Sequence, residues 1–531
     1  MPSKCDFYDI NILRLQFRTG RDWGICVKRI ADHLLSFTNR QCAALICAAH
    51  AIALLSFGSV MWVDAASYIR IAQAFTSIDA MRAVYDGSTL WWHNYVAPGV
   101  PLIWLSLREL PTEAIWPVLA IGQHTVAAIA LIYAVRSARL FAPSRGYAVA
   151  AVLLCLYPYY QAFHNSLGTE SLASSLLLLG FSVVLRAFGE SVWNNVRLAQ
   201  LLALTATASL FRHSIVLLLT GFAFALIIRH RRLAVGPIVL TALVAAVSFF
   251  WYPAARSLTT GEFIKPRPGL SSLFVAPRIN LDPSPAARDA IAAVDWPQGL
   301  TSQQILDGKF SYAQFEQVAR AWRLQGLSNA QVLDRFEELG KALRHDGWQT
   351  EVRAVAHGLV AAGINTPCLL PPAAETYTRA MSNAAACESS KAWTEVFAWM
   401  AADRATIKRL FDGSFRDTSV PDLQLFEAAW MRWFKEYPPR MRDPIFLNHI
   451  SLTVITLVFF VAAILVLRRN LVLGLCLLGL PLVTVYLHAA VPFGGTRYTY
   501  PLLPIYVLAV PIALALNRRG SWRSEIDAIG L

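Results

Sequence analysis

The sequence predicts an all-α polytopic membrane protein of about ten transmembrane helices, with interfacial helices and a mostly helical extracytoplasmic domain. Three observations carry that prediction. Hydrophobic residues make up 56% of the chain and charged residues 15%, with a mean hydropathy of +0.45. A soluble globule carries about 25% charged residues. Apolar runs approaching the thickness of a bilayer core recur along the chain. Basic residues collect in alternate segments between those runs, the distribution that marks cytoplasmic loops. The same distribution accounts for the formal net charge of +13. The excess arginines flank apolar spans, so the charge calls for no nucleic-acid partner.

Residues 1–40 carry Lys4, Arg14, Arg18, Arg21, Lys28, Arg29 and Arg40 and no early apolar core. They read as a cytoplasmic tail rather than a cleavable signal peptide. The first span, about 41–63, then runs from inside to outside. The first outer loop, 64–113, opens with Asp64 at the membrane edge, where an acid is far cheaper than at the bilayer centre. Tyr68, Ile71, Ala72 and Phe75 recur at helical spacing and predict a short interfacial helix. The apolar run 100–107 is too short to span and reads as a second interfacial helix, opened by Pro98 and Gly99. A true span there would reverse the topology of everything after it. Loop charges decide against it, because the reversal would put the cluster Arg229-His-Arg-Arg232 outside.

Nine further spans follow, at about 114–135, 146–163, 171–186, 198–211, 214–228, 234–252, 446–467, 471–490 and 499–516. The inside loops hold Arg136, Arg139 and Arg145; Arg186 and Arg197; Arg229 to Arg232; and Arg468 with Arg469. Residues 517–531 form a basic cytoplasmic tail, so both termini are expected inside. The membrane module is thus 41–252 joined to 446–516. Between the two parts lies the hydrophilic region 253–445, about domain-sized.

Within that region, Ser328 to Gly340 has helical periodicity with a glycine stop, and 391–410 and 422–434 read as further helices. Residues 262–300 are rich in proline and glycine and read as loop. Cys368 and Cys387 face an oxidising compartment in this topology and form a candidate disulfide. A bridge there would close a loop of about 19 residues, worth ~3 kcal/mol; the alternative is two free thiols. Cys42, Cys47, Cys155 and Cys476 fall in spans and read as small apolar fillers.

Five polar elements converge on the outer boundary: Asp64; His93 with Asn94; His164 with Glu170; Arg212 with His213; and Arg497 with Tyr498. Each has a bland reading alone. Glu170 is an acid at a helix start, the arginines are snorkelling cations, and Tyr498 is an aromatic-belt anchor. Together they suit transfer chemistry on a lipid-linked phosphate. A guanidinium matches phosphate geometry, and a carboxylate can take the proton from an attacking hydroxyl. There is no glycine-rich phosphate loop.

The arrangement resembles the GT-C superfamily of integral-membrane glycosyltransferases, closest to its protein O-mannosyltransferase, aminoarabinose-transferase and Rgt-like branch. Asp64-Ala-Ala-Ser-Tyr68 with Ala72 looks like the first-loop acid and interfacial helix of that family. Ala97-Pro-Gly-Val-Pro-Leu102 is similar to its Pro-Pro-Gly-Tyr-Pro-Leu stretch. Gly168-Thr-Glu-Ser-Leu172 looks like the second-loop acid, and Arg497-Tyr-Thr-Tyr-Pro-Leu-Leu-Pro504 resembles its Arg-Tyr-x-x-Pro-x-x-Pro motif. Leu210-Phe-Arg-His213 is a fifth, looser match. The resemblance covers 41–252 and 446–516.

What the resemblance implies is an inverting transfer of a sugar from a polyprenyl-phosphate-linked donor to a glycan, lipid or protein acceptor, at the outer face of a bacterial inner membrane. Asp64 would be the general base, with Glu170 orienting the site or a cation. Arg497, Arg212 and Tyr498 would bind the donor phosphate, while Tyr68, His93, Asn94 and His164 would line the acceptor side. The family often has two adjacent acids in the first loop, but Asp64 is followed by Ala65. A divalent cation is therefore an open possibility, with His93, His164 and Glu170 as candidate ligands. The competing expectations are an O-antigen-ligase-like or polymerase-like glycan enzyme, and a lipid or polysaccharide transporter. The absence of internal repeats and the scarcity of charges inside the spans weigh against transport.

Overall fold

The structure, a computed structural model, describes residues 37–57, most of 97–260, much of 285–344, 444–488 and 500–518, with Tyr68, Ile71, Ala72 and Ser77 in between. The described residues are mostly helical and contain no strand. In chain order the helices are α1 Asn39–Phe57, α2 Gly99–Ser106, α3 Thr112–Phe141, α4 Gly146–Cys155 and α5 Glu170–Gly189. They continue with α6 Asn195–Ala208, α7 His213–Arg229, α8 Val235–Thr260, α9 Pro285–Ala292, α10 Ser302–Asp307 and α11 Asn329–Arg344. The last are α12 Pro444–Leu467, α13 Leu471–His488, a 3-10 turn Tyr500–Leu502, and α14 Leu503–Arg518.

Three helical stretches, Val118–Phe141, Glu170–Gly189 and Val235–Ala255, are long and apolar enough to cross a membrane. Five more apolar helices are shorter: Gly146–Cys155, His213–Arg229, Val454–Leu467, Leu471–Thr484 and Leu503–Arg518. The 20 residues of α5 give a rod of ~30 Å, the thickness of the hydrocarbon core.

Helix α5 is the axis of the bundle. It packs against α3, α6, α7 and the 3-10 turn, and 78% of its span is buried, against 17% for α8. Its sequence explains this. Ala173, Ser174, Ser175, Gly180, Ser182 and Ala187 are small, and small residues let helices approach closely where lipid supplies no hydrophobic drive. A Cβ on Gly180 would collide with Leu219 of α7, and Phe181 meets Phe222 there at 6.1 Å between ring centroids. Ser175 and Ser182 return their hydroxyls to the carbonyls of Ser171 and Leu178, so neither leaves an orphan donor in the core.

The helix ends follow local chemistry. Thr38 and Gln41 cap α1 reciprocally, Ser328 and Gln331 do the same for α11, and the Asn194 side chain accepts from Val196 N at the start of α6. Several boundaries differ from expectation. Helix α3 runs on to Phe141, so Arg136 and Arg139 lie on the helix itself; nothing breaks it before Pro143. Helix α4 ends at Cys155 instead of 163, ahead of Pro158, which disfavours helical geometry just before it. Helix α8 continues past 252 to Thr260 with Pro253 inside it. Helix α11 passes through Gly340, which is buried, and stops at Arg344. The stretch 262–300 contains helix α9.

Arginines gather at one end of the bundle. Arg186 of α5 donates to Ser137 at 2.9 Å and lies 4.2 Å from the Tyr133 ring centroid. Arg139 donates to the Phe37 carbonyl and to Asn39, and Arg469 to Asn517. Arg197 pairs with Glu190 at 2.5 Å. The segment 285–344 has a small aromatic core of its own. Trp322 is fully buried, stacked on Trp296 at 6.0 Å and tilted against Phe336 at 5.1 Å. Its indole N–H donates to the Asp295 carbonyl, and Arg335 lies over its ring. Cys42, Cys47, Cys155 and Cys476 are free thiols. Cys47 is exposed on the helix surface, so it does not fill the core as expected. Cys368 and Cys387 lie outside the described residues.

Two glycines of α13 test the packing. A Cβ on Gly474 would strike the Leu467 backbone across the α12–α13 turn, whereas Gly479 has nothing within 4 Å. Gly474→Ala is expected to lower stability by about 1–3 kcal/mol through overpacking. Gly479→Ala is expected to be neutral or to add up to ~1 kcal/mol from helix propensity. Thermal unfolding of the detergent-solubilised variants measures both.

Candidate functional site

The end of the bundle opposite the arginines holds the candidate site, built around the first turn of α5. Glu170 opens that helix, where the dipole favours an acid. It is 2% exposed, so its carboxylate needs a cation within the protein. Arg212 supplies one, its Nη1 lying 3.6 Å from Glu170 Oε1 with the side chain 13% exposed. Arg212 precedes α7 in extended geometry, placed there by the tight turn out of α6. In that turn Phe211 N and Arg212 N both donate to the Ala208 carbonyl, at 3.0 and 2.8 Å.

Three other segments close on this turn. Gly99 N donates to the Leu210 carbonyl at 2.6 Å, and a Cβ on Gly99 would collide with that carbonyl and with the Phe211 ring. Only glycine allows the backbone of the 97–102 stretch to approach so closely. Ser174, one turn into α5, donates to the Pro501 carbonyl at 3.2 Å and ties the 3-10 turn to the helix. Trp251 of α8 donates its indole N–H to Ser209 at 2.9 Å. His213 stacks on Phe249, with ring centroids 5.6 Å apart.

Beside Glu170 lies a group of imidazoles. His164 is fully buried, and its Nδ1 stands 2.8 Å from the Ser171 hydroxyl. Burial, with His50 and His124 beside it, holds its imidazole well below the usual histidine range, so the ring is neutral at physiological pH. His50 of α1 and His124 of α3 are equally buried, with their Nδ1 atoms 3.0 Å apart. The three ring centroids form a nearly equilateral triangle, with sides of 5.3 Å (His50–His124), 5.3 Å (His50–His164) and 5.4 Å (His124–His164). Tyr160 packs edge-on to His164 at 4.8 Å.

Of the residues singled out from sequence, Glu170, Arg212 and His164 are brought together at the start of α5. Tyr68 is buried with Ile71 and Ala72, the helical spacing predicted for the interfacial helix. Asp64, His93, Asn94, Arg497 and Tyr498 lie outside the described residues, as does Phe75. His50 and His124 are not among the residues singled out from sequence. The signal was present, since a histidine inside an apolar span is a functional candidate in its own right. Their pairing with His164 across three segments, however, has no counterpart in sequence spacing.

Among the described residues, no group of three or more His, Cys, Asp or Glu side chains could hold a metal ion. Comparison with protein-family models, with curated proteins and with solved structures finds no match.

The Glu170–Arg212 pair is chemically the most consequential contact of this end. A guanidinium carries several donors, and in these buried surroundings its attraction to the Glu170 carboxylate at 3.6 Å is stronger than at an exposed site. Glu170→Gln is expected to destabilise the fold, by up to about 3–5 kcal/mol, because it removes the carboxylate charge beside a buried guanidinium. Glu170→Gln combined with Arg212→Met is expected to recover part of that loss. A double-mutant cycle by thermal unfolding measures the coupling.

Proposed function

We propose that this chain is a GT-C-type glycosyltransferase that moves a sugar from a polyprenyl-phosphate-linked donor to an acceptor at the outer face of the membrane. In this reading the chain spans the membrane ten times with both termini cytoplasmic, the arginine-rich end of the bundle faces the cytoplasm, and 253–445 is extracytoplasmic.

One observation supports the reading most. The described parts of four stretches that carry the family resemblance meet at the first turns of α5: Gly99, Glu170, Leu210 to Arg212, and Pro501. They are far apart in the chain, and a resemblance by accident gives no reason for them to meet.

The chemistry is a single displacement. The acceptor hydroxyl attacks the sugar's anomeric carbon while its proton passes to the Asp64 carboxylate. The new glycosidic C–O bond forms as the bond to the phosphate oxygen breaks, and polyprenyl phosphate leaves with the electron pair, inverting the anomeric centre. Arg497 and Arg212 bind the phosphate and stabilise its growing charge, since a guanidinium offers paired donors and keeps its charge when desolvated. Tyr498 contributes to the same phosphate site. Glu170, 3.6 Å from Arg212, orients the site. Tyr68, His93, Asn94 and His164 line the acceptor side.

The test is transfer by purified protein in detergent, with polyprenyl-phosphate sugars offered against a panel of lipid, glycan and protein acceptors. Wild type is expected to consume donor and form a new glycoside, and Asp64→Asn to abolish turnover while leaving expression and membrane insertion intact. Near-normal turnover in that variant would remove the general-base role. Arg497→Lys is expected to weaken donor affinity at least tenfold, because a point charge does not replace the fork. No donor turnover by wild type would remove the transferase reading itself.

A further inference from the structure

The turn between α12 and α13 gathers positive charge that no acid of these helices answers. Arg468 and Arg469 directly follow α12, and Arg518 ends α14. Arg469 Nε donates to the Asn517 side-chain oxygen at 3.0 Å, which brings Arg518, the next residue, to the same turn. The turn is tight. Asn470 N donates to the Val466 carbonyl at 2.7 Å, and the Asn470 side chain accepts from Leu473 N at the start of α13. Residues 444–488 and 503–518 contain no Asp or Glu. Arg468 and Arg518 are exposed, and among the described residues their side chains have no hydrogen-bond or ion-pair partner. The negative ends of α12 and α14 offset about half a charge each, and the positive end of α13 works against them, so a surplus of roughly two charges or more remains. Elsewhere at this end the charge is answered: Arg197 pairs with Glu190 at 2.5 Å.

The surroundings select the kind of anion. Ile464, Leu471 and Leu514 each lie one helical turn or less along the chain from one of these arginines, and they are 45%, 55% and 51% exposed. A soluble anion would answer the charge and leave these apolar side chains uncovered. An amphiphile with an anionic head and hydrocarbon chains answers both. A guanidinium matches phosphate with paired donors, and basic pockets between membrane helices suit lipid headgroups.

We propose that Arg468, Arg469 and Arg518 bind the phosphate headgroup of an anionic phospholipid, whose acyl chains lie against the exposed faces of α12, α13 and α14. The headgroup joins the end of α12 to the end of α14, beside the Arg469–Asn517 bond. This proposal stands apart from the transferase reading, and its test needs no sugar donor.

The experiment uses full-length protein in detergent, titrated with phosphatidylglycerol or phosphatidylcholine, with bound lipid counted by native mass spectrometry. Wild type is expected to bind phosphatidylglycerol about tenfold or more tightly than phosphatidylcholine, and high salt to narrow the difference. Arg468→Gln combined with Arg518→Gln is expected to weaken phosphatidylglycerol binding by about tenfold or more and to erase the preference. Where that variant fails to fold, Arg468→Lys with Arg518→Lys takes its place and is expected to weaken binding severalfold, because a point charge does not replace the fork. Arg197→Gln, which alters a cation already paired with Glu190, is expected to keep the wild-type preference. Inorganic phosphate at the lipid's concentration is expected not to displace it. The proposal is overturned by wild type without a headgroup preference, by a preference unchanged in the Arg468 and Arg518 variants, by an equal loss in Arg197→Gln, or by displacement with inorganic phosphate.

Discussion

A polar group carried into the interior of this bundle must find its partner there, because neither lipid nor packed side chains will solvate it. Helix α5 shows the constraint most clearly. It is the most buried of the three stretches long and apolar enough to cross a membrane, and it carries Glu170, Ser171, Ser174, Ser175, Ser182 and Arg186 along its length. Each of these has a place. The serines bond within the helix, to His164 or to Pro501; Glu170 faces Arg212; and Arg186 meets Ser137 and the Tyr133 ring. The positions of α3, α7 and the 3-10 turn follow from satisfying these groups as much as from apolar contact.

The two ends of the bundle are chemically different for the same reason. At one end arginines reach carbonyls and amides beside neighbouring helix termini, and Arg139 and Arg186 lie in the last turns of their own helices, where a cation meets the negative end of the dipole. At the other end an acid opens α5, a glycine brings one loop against the turn before α7, and a carbonyl from the last helical segment receives a serine hydroxyl. The charged groups described thus collect at the two ends, and the helix lengths between them are mostly apolar.

The histidine triangle adds a second kind of order to that layer. Ser171 touches His164 and directly follows Glu170, so the imidazoles and the ion pair share the first turn of α5. The α5 serine and glutamate thus each contact a polar group from a different part of the chain.

How much of this was legible beforehand depends on whether the information is local. Composition and the run of apolar segments determine that the chain is helical and suited to a membrane, since burial of backbone polar groups in lipid leaves few alternatives. Arginine placement sorted the loops into two classes, and Pro98-Gly99 correctly opened α2. Glu170 and Arg212 were candidates because each is an unusual residue at the edge of an apolar run. Boundaries were less legible. Proline positions stopped α3 and α4, whereas Gly340 did not stop α11, because tertiary burial overrode its propensity. What only the tertiary structure decided is which of these residues meet. His50, His124 and His164 come from three segments, and the depth and rotation of each helix are set by side-chain packing along its whole length, so no spacing in the sequence places their rings in one triangle.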